Sequence, residues 1–286
     1  MHLAMNMQPV QYIMGSILIH SHVIESMASE REVGVLPRWR SFIDFMTGKF
    51  SRQFLLHKLV PLIYLCLFAF FLVADLLFPP SAQDGPGYIP FVRTISGLGN
   101  RGDNLFGAWF FLTGIIITSI LMVPFSCYAC RRLSVMNKAG AGFILFLMIG
   151  GAVGFIMVGI WDEESNCIAW NAAGDCLLVS HQVHDLASGI AFLGNLFAVL
   201  FALFPMIADK RRSGQDRFGI KWQITHIVTF IVMIVVGLIF NKYIAMPDFF
   251  KQYAFWEWLV FTGIVIYYIS LAFRLPGDMG KNEVIS

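Results

Sequence analysis

Long apolar segments separated by short polar ones dominate the pattern of this chain. Six of these segments hold about 20 mostly apolar residues each, enough for a helix to cross the hydrocarbon core of a bilayer. They are Leu59–Phe78, Leu105–Phe125, Gly140–Trp161, Leu186–Ile207, Ile224–Ile244 and Phe255–Phe273. A helix also satisfies its own backbone hydrogen bonds in lipid. The pattern therefore predicts an all-α, polytopic membrane bundle of six transmembrane helices.

The distribution of Lys and Arg predicts the orientation of this bundle. Of the 20 basic residues, 16 lie before the first span, in the second and fourth connections, or after the sixth span. The other connections hold Arg93, Arg101, Lys242 and Lys251. Because basic residues accumulate in cytoplasmic loops, we expect the N- and C-termini to be cytoplasmic.

Two tails flank the predicted membrane domain of residues 59–275. Residues 1–58 combine basic residues with apolar ones around Trp39, which predicts an amphipathic tail on the cytoplasmic surface of the membrane. The apolar run Tyr12–Ile19 is too short to span a bilayer and is expected to be interfacial or buried. Residues 276–286 form the predicted cytoplasmic C-terminal tail.

Composition narrows the class of protein further. Hydrophobic residues make up 57% of the chain and charged residues 13%, whereas about a quarter of a typical soluble domain is charged. This excludes a disordered chain, a nucleic-acid-binding module and an ordinary cytosolic enzyme. The expected location is a plasma membrane, an inner membrane or an endomembrane, and the expected partner is membrane lipid rather than nucleic acid.

The predicted outer loop Asp162–Asp185 is acidic and contains two cysteines. Cys167 and Cys176 lie nine positions apart on the side expected to be oxidising, which predicts a disulfide. In a reducing compartment the pair would stay open. Cys127 and Cys130 form a Cys-x-x-Cys at the predicted cytoplasmic end of the second span, and we interpret them as small interfacial residues or palmitoylation sites.

A polar run that opens the fourth span is the strongest candidate for chemistry. His181 and His184 fall on one helical face, and Asp185 follows the second histidine. With Glu163 or Glu164 they could bind a divalent metal, or His184 could act as a general base oriented by a carboxylate. A helix start whose dipole favours Asp185 explains the same residues without chemistry.

Several other polar residues are predicted to lie near the outer interface. Asp75, Asn241, Lys242 and Glu257 could surround one outward-facing cavity together with the two outer loops. A structural pair between Asp75 and Lys242 is the alternative.

Small residues line one face of the third and fourth spans. They are Gly150, Gly151, Gly154 and Gly159 in the third span and Ala187, Gly189, Ala191 and Gly194 in the fourth. Such residues allow close helix packing in lipid. A groove for an acyl chain is the alternative interpretation.

Two stretches resemble a known group of membrane proteins. Residues Ile95-Ser96-Gly97-Leu98-Gly99, with Asn104-Leu105-Phe106-Gly107, precede and open the second span, and His184 leads a small-residue start to the fourth span. These features look like the FRAG/DRAM/Sfk group of six-helix proteins and a related uncharacterised prokaryotic family. The resemblance implies six spans, cytoplasmic termini and a role in lipid remodelling or asymmetry. It also implies that Ser96, His184 and Asp185 line an outer-leaflet site and are the candidate catalytic residues.

Three hypotheses for function follow, in order of preference. The first is a lipid-handling protein that binds a phospholipid head group through Arg93, Arg101 and Glu257, since arginine suits bidentate phosphate recognition. The second is a non-catalytic accessory or scaffold subunit with a membrane-protein partner. The third is a metal-dependent membrane hydrolase with His181, His184 and an acid of the second outer loop, Glu164, as ligands. Whether the protein is an enzyme stays open at this point.

Overall fold

The computed structural model describes residues 36–80, 87–90, 93–161, 166–170, 174, 176–216, 218–228, 231 and 253–275. Contacts divide the chain into two units, Met1–Phe45 and Met46–Ser286. The described part of the first unit belongs to helix α1 (Leu36–Met46). This helix exposes Trp39, Phe42 and Ile43, and the first two rings meet edge to face at 6.2 Å. The amphipathic tail on the cytoplasmic surface stays a prediction, because residues 1–35 lie outside the described residues.

The second unit contains five helices that are long and apolar enough to cross a membrane, counted over the described residues. They are α2 (Arg52–Leu76), α3 (Gly107–Ser134), α4 (Lys138–Ile160), α5 (Ser180–Ser213) and α6 (Tyr253–Arg274). These helices coincide with five of the six predicted spans, as befits a multi-pass membrane protein. Residues 220–228 and 231 are helical, and the rest of the predicted fifth span Ile224–Ile244 lies outside the described residues. The predicted span Ile224–Ile244, and with it the total of six spans, therefore stays a prediction, as does the orientation of the termini.

The first membrane helix begins seven residues earlier than the predicted Leu59. The Ser51 side chain caps the helix start by accepting a hydrogen bond from the Phe54 backbone N–H at 3.1 Å. The next turn, Leu55–Leu59, is π-helical and buries its first and last leucines. A capping serine and a π-helical turn thus lengthen the helix beyond its continuous apolar run.

A small β-hairpin corrects the expectation of a purely helical chain. Strands β1 (Cys167–Trp170) and β2 (Cys176–Val179) pair antiparallel between α4 and α5. Each strand has four residues, which is too short to give a clear alternating pattern in the sequence. The predicted disulfide is confirmed: Cys167 and Cys176 are bonded, with their Cα atoms 5.8 Å apart.

The disulfide leads to a prediction for thiol labelling. Cys66, Cys127 and Cys130 are free thiols, so iodoacetamide should label these three in unfolded, non-reduced protein and all five cysteines after reduction. Intact mass spectrometry measures both numbers. A Cys167→Ser control should add one further label, on Cys176, without reductant. Five labels on the non-reduced wild-type protein would contradict the disulfide.

Helices α4 and α5 pack closely through their small residues. A Cβ atom added at Gly154 would lie 2.6 Å from the Ala191 backbone nitrogen, and one at Gly194 would lie 2.9 Å from the Gly151 nitrogen. The predicted close packing is therefore present at these positions: backbone of the facing helix lies beside Gly154 and Gly194, and the Asn195 side chain lies beside Gly151. Elsewhere on the predicted face, a Cβ at Gly150 or Gly189 would meet nothing within 4 Å, and one at Gly159 would meet Ile116 of α3. The contact between α4 and α5 fixes the start of α5 relative to the end of α4.

Candidate functional site

A cavity of about 560 Å³ lies at one end of the bundle. We term this the loop end, because segment 93–106 and the β-hairpin lie there. The cavity is bounded by the 3-10 helix Ser96–Gly99, the start of α5 and the start of α6. Its lining residues are Ser96, His184, Asp185, Ser188, Gly189, Phe192, Trp256, Glu257 and Val260. Small-molecule sites have volumes of roughly 300–1,000 Å³, so the size suits a ligand.

Four residues singled out from the sequence meet in this cavity. Ser96, His184 and Asp185, the candidate catalytic residues, line it together with Glu257. Their separation along the chain is large, and three different elements bring them together. Their chemical roles stay predictions.

His184 is held in one tautomer by the end of α4. The ring is 3% exposed, and its Nδ1 lies 2.8 Å from the Trp161 carbonyl oxygen. A carbonyl oxygen can only accept a hydrogen bond, so Nδ1 carries the proton and donates it. In the neutral ring, Nε2 is then the basic nitrogen.

Ser96 reaches the cavity because its 3-10 helix is anchored on both sides. Ile95 and Leu98 are buried in the apolar core of the loop end. The Gly97 backbone N–H donates to the Thr94 hydroxyl oxygen at 3.1 Å, which closes the turn before the helix. Ser96 itself is 8% exposed. The serine therefore sits on a fixed backbone rather than on a free loop.

Glu257 connects the start of α6 to this 3-10 helix. Its Oε2 accepts a hydrogen bond from the Ile95 backbone N–H at 3.0 Å. The same side chain lines the cavity. Glu257 thus both supports the 3-10 helix and lines the cavity. A substitution of Glu257 would affect both roles at once.

Trp258 and Tyr88 hold residues 93–94, just before the 3-10 helix, through hydrogen bonds to the backbone. The Trp258 indole N–H donates to the Arg93 carbonyl oxygen at 3.1 Å and to the Tyr88 hydroxyl at 3.2 Å. The Tyr88 hydroxyl in turn donates to the Thr94 carbonyl oxygen at 2.8 Å. Sequence reasoning missed this clamp, and no local signal marks it, because its partners are far apart in the chain.

The charged groups of the loop end and burial together shift the pKa of Tyr88. Burial raises this pKa most, the hydrogen bond from Trp258 lowers it, Glu257 and Asp75 raise it further, and Arg93 lowers it. The phenol therefore stays protonated and keeps its donor role. Asp75 and Glu257 thus both lie close enough to influence the Tyr88 hydroxyl. Asp75 is not among the described lining residues of the cavity, and Asn241 and Lys242 lie outside the described residues.

Neither predicted phosphate-binding arginine lines the cavity. The Arg93 guanidinium carbon lies 4.7 Å from the centre of the Phe78 ring, and that of Arg101 lies 4.4 Å from the Trp109 ring. Both are cation–π contacts. Of the three residues predicted to bind a head group, the structure brings Glu257 alone into the described lining.

The predicted metal site is not assembled by the residues that the structure describes. His184 is buried and His181 is half-buried, while Glu164 lies outside the described residues. Within the described ranges, no three His, Cys, Asp or Glu side chains are close enough to hold a metal ion. The metal site therefore stays a prediction.

Sequence reasoning overlooked two lining residues that helical spacing could have found, and a third beside Glu257. Ser188 and Phe192 follow His184 at intervals of four, which places them on one face of α5. Trp256 precedes Glu257 at the start of α6 and also lines the cavity.

One family of proteins matches a segment of the chain that contains the cavity. The family described as "Protein of unknown function (DUF998)" matches residues 64–274, which contain all the lining residues that the structure describes. No curated protein and no solved structure matches the chain. The match agrees with the expected uncharacterised family of similar layout, while the resemblance to the FRAG/DRAM/Sfk group stays a prediction. Because the match covers most of its length, the chain belongs to the DUF998 family.

Proposed function

We propose that this protein handles membrane lipids and that the loop-end cavity holds a lipid head group. The observation that carries the proposal is the mixed lining of a cavity of about 560 Å³ in a membrane bundle. Ser96, His184 and Glu257 supply polar groups, and Phe192 and Val260 supply apolar ones. A molecule that matches both kinds of surface is amphiphilic.

The depth of the cavity supports a lipid over a soluble solute. Along α5 the lining runs from His184 to Phe192, a rise of about 12 Å at 1.5 Å per residue. The helix start is polar, whereas Phe192 packs edge to face on Phe155 of α4 with ring centres 5.6 Å apart. The cavity therefore extends from a polar helix end towards the apolar interior, in the direction in which a lipid changes from head to chain.

Two features favour an outward-facing site. The distribution of Lys and Arg predicts that the loop end is on the non-cytoplasmic side. The disulfide of the β-hairpin lies at the same end, and such bonds persist in oxidising compartments. The lipid would then be taken from the outer leaflet.

Hydrolysis or acyl transfer on that lipid is a second candidate function. The specific observation in its favour is that His184, with Nδ1 held by the Trp161 carbonyl, shares the cavity with Ser96. A histidine with a fixed tautomer is suited to general-base catalysis. Release of a fatty acid from a bound lipid, lost on His184→Gln, would distinguish this function from lipid binding alone.

Filling the cavity should abolish lipid retention. In Ser188→Trp, an indole replaces a small, half-buried side chain of the lining. Native mass spectrometry of the full chain in mild detergent should show one defined lipid per wild-type protein, and retention reduced at least about tenfold in this variant.

The matched control is Leu193→Trp, because Leu193 lies on the same helix, is 52% exposed and does not line the cavity. This variant should retain lipid as the wild type does. Equal retention by both variants would identify the bound lipid as annular and refute the proposed site.

A further inference from the structure

We infer that the disulfide-bonded β-hairpin lies on the membrane surface, with its exposed apolar side chains in the lipid head-group layer at the loop end. The partner of this surface is the bilayer itself. None of the described lining residues of the loop-end cavity belongs to either strand. The inference therefore concerns a separate surface and does not rest on the proposed function.

The hairpin exposes large apolar side chains. Four of the eight strand residues are of this kind, Ile168, Trp170, Leu177 and Leu178. Trp170 is 63% exposed and Leu177 is 64% exposed. Ile168 and Trp170 alternate along β1, so both side chains point to one face of the hairpin. A cluster of exposed apolar side chains marks a contact with a protein or a membrane.

The start of α5 fixes the position of the hairpin. Strand β2 ends at Val179 and α5 begins at Ser180, so no linker separates the strand from the helix. The Ser180 backbone N–H donates to the Asn166 carbonyl oxygen at 2.8 Å, which joins the helix start to the residue before β1. The disulfide between Cys167 and Cys176 ties the two strands together. The hairpin is therefore held at the loop end.

Tryptophans at the helix ends mark the level of the membrane surface at the loop end. Trp109 begins α3, Trp161 follows the end of α4 and Trp256 begins α6, and tryptophan is enriched at membrane–water interfaces. The hydrogen bond from His184 to the Trp161 carbonyl places His184 level with the end of α4. Ser180 precedes His184 by one helical turn, about 6 Å. Because the head-group layer is about 5–8 Å thick on each side, the base of the hairpin lies within it.

The lipid-facing surface of α5 begins close to the hairpin. Leu186, Ile190 and Leu193 are exposed and follow one another at intervals of four and three, which places them on one stripe of a membrane helix. Leu178 of β2 precedes Leu186 by eight residues, so the exposed strand residues lie next to a surface in contact with lipid. The indole of Trp170 combines an apolar ring with an N–H donor, which suits the head-group layer. These features favour the bilayer over a soluble protein as the partner of the hairpin.

Photo-cross-linking of the full chain in phosphatidylcholine nanodiscs tests the inference. In Trp170→p-benzoylphenylalanine, irradiation should join the side chain to a phospholipid, which intact mass spectrometry detects as an added lipid mass. The same substitution at Leu177 provides a second position on the hairpin. Phe146→p-benzoylphenylalanine is the positive control, because Phe146 is exposed within the membrane helix α4. Gln215→p-benzoylphenylalanine is the negative control, because Gln215 is exposed beyond the opposite end of α5.

We expect the lipid adduct to form at the hairpin positions at least about tenfold more often than at Gln215, because side chains in the head-group layer meet lipid and side chains in water do not. Lipid adducts at Phe146 and at neither hairpin position would overturn the inference. A covalent dimer in place of the lipid adduct would also overturn it, since a second copy of the chain would then cover the hairpin.

A further variant separates bilayer lipid from lipid in the cavity. Ser188→Trp fills the cavity, so an adduct with bilayer lipid at position 170 should form equally well when this second substitution is present. Loss of the adduct on Ser188→Trp would trace it to lipid held in the cavity and would overturn the inference. An unchanged adduct supports the inference, and it does so independently of the proposed function.

Discussion

Replacing Asn104 by alanine is expected to lower the free energy of unfolding by about 3–5 kcal/mol, because three buried backbone groups each lose a partner worth about 1–3 kcal/mol. The Asn104 side chain is 0% exposed. Its amide nitrogen donates to the carbonyl oxygens of Ala74 at 3.1 Å and Leu98 at 3.0 Å, and its oxygen accepts from the Gly107 N–H at 3.1 Å. One side chain thus joins the end of α2, the 3-10 helix and the start of α3.

Thermal unfolding in detergent measures this loss as a lower midpoint, and lipid retention should fall with it because the 3-10 helix carries Ser96. The matched control is Asn100→Ala. Asn100 is partly exposed, and its side-chain oxygen accepts from the Gly102 and Asp103 N–H groups within the same turn. Since water can replace these bonds, a loss of about 1 kcal/mol or less is expected. Similar midpoints for the two variants would show that Asn104 does not join the three segments.

The sequence predicted the membrane helices because hydropathy over about 20 residues is a local property. The predicted disulfide had a similarly local basis, two cysteines nine positions apart in an acidic loop. The start of α2 at Arg52 was not predicted, because a serine cap and a π-helical turn decide it before the continuous apolar run begins. Hydropathy therefore locates a span more reliably than it locates a helix end.

The residues of the candidate site could be predicted only in part, because the sequence indicates at which end of the bundle a residue lies but not where its side chain points. His184, Asp185 and Glu257 were chosen as polar residues near the ends of spans, and Ser96 from a family resemblance in the loop before the second span. The predicted topology puts all four at one end of the bundle, and the structure brings them together there. The role proposed for Arg93 depended on the direction of its side chain. That direction is set by the ring of Phe78 and by the backbone contact with Trp258, 165 positions away. Long-range contacts of this kind leave no pattern in the sequence.

Replacing Gly154 by alanine is expected to cost about 2 kcal/mol, within the range for overpacking a filled interior. The added Cβ would lie 2.6 Å from the Ala191 nitrogen and 2.8 Å from the Ala187 oxygen. Both are backbone atoms of α5, so the collision cannot be relieved by turning a side chain, and the two helices must separate. Because His184 is tied to the Trp161 carbonyl across the same pair of helices, lipid retention should weaken together with the unfolding midpoint.

The matched control is Gly150→Ala, four residues earlier on the same helix. A Cβ at Gly150 would meet nothing within 4 Å, so this variant should keep its unfolding midpoint or raise it slightly, since alanine favours helix more than glycine does. The two variants add the same methyl group to the same helix and differ in what that methyl group meets. Equal midpoints for both would show that α4 and α5 tolerate separation. In that case the α4–α5 contact would not be what holds His184 in the cavity.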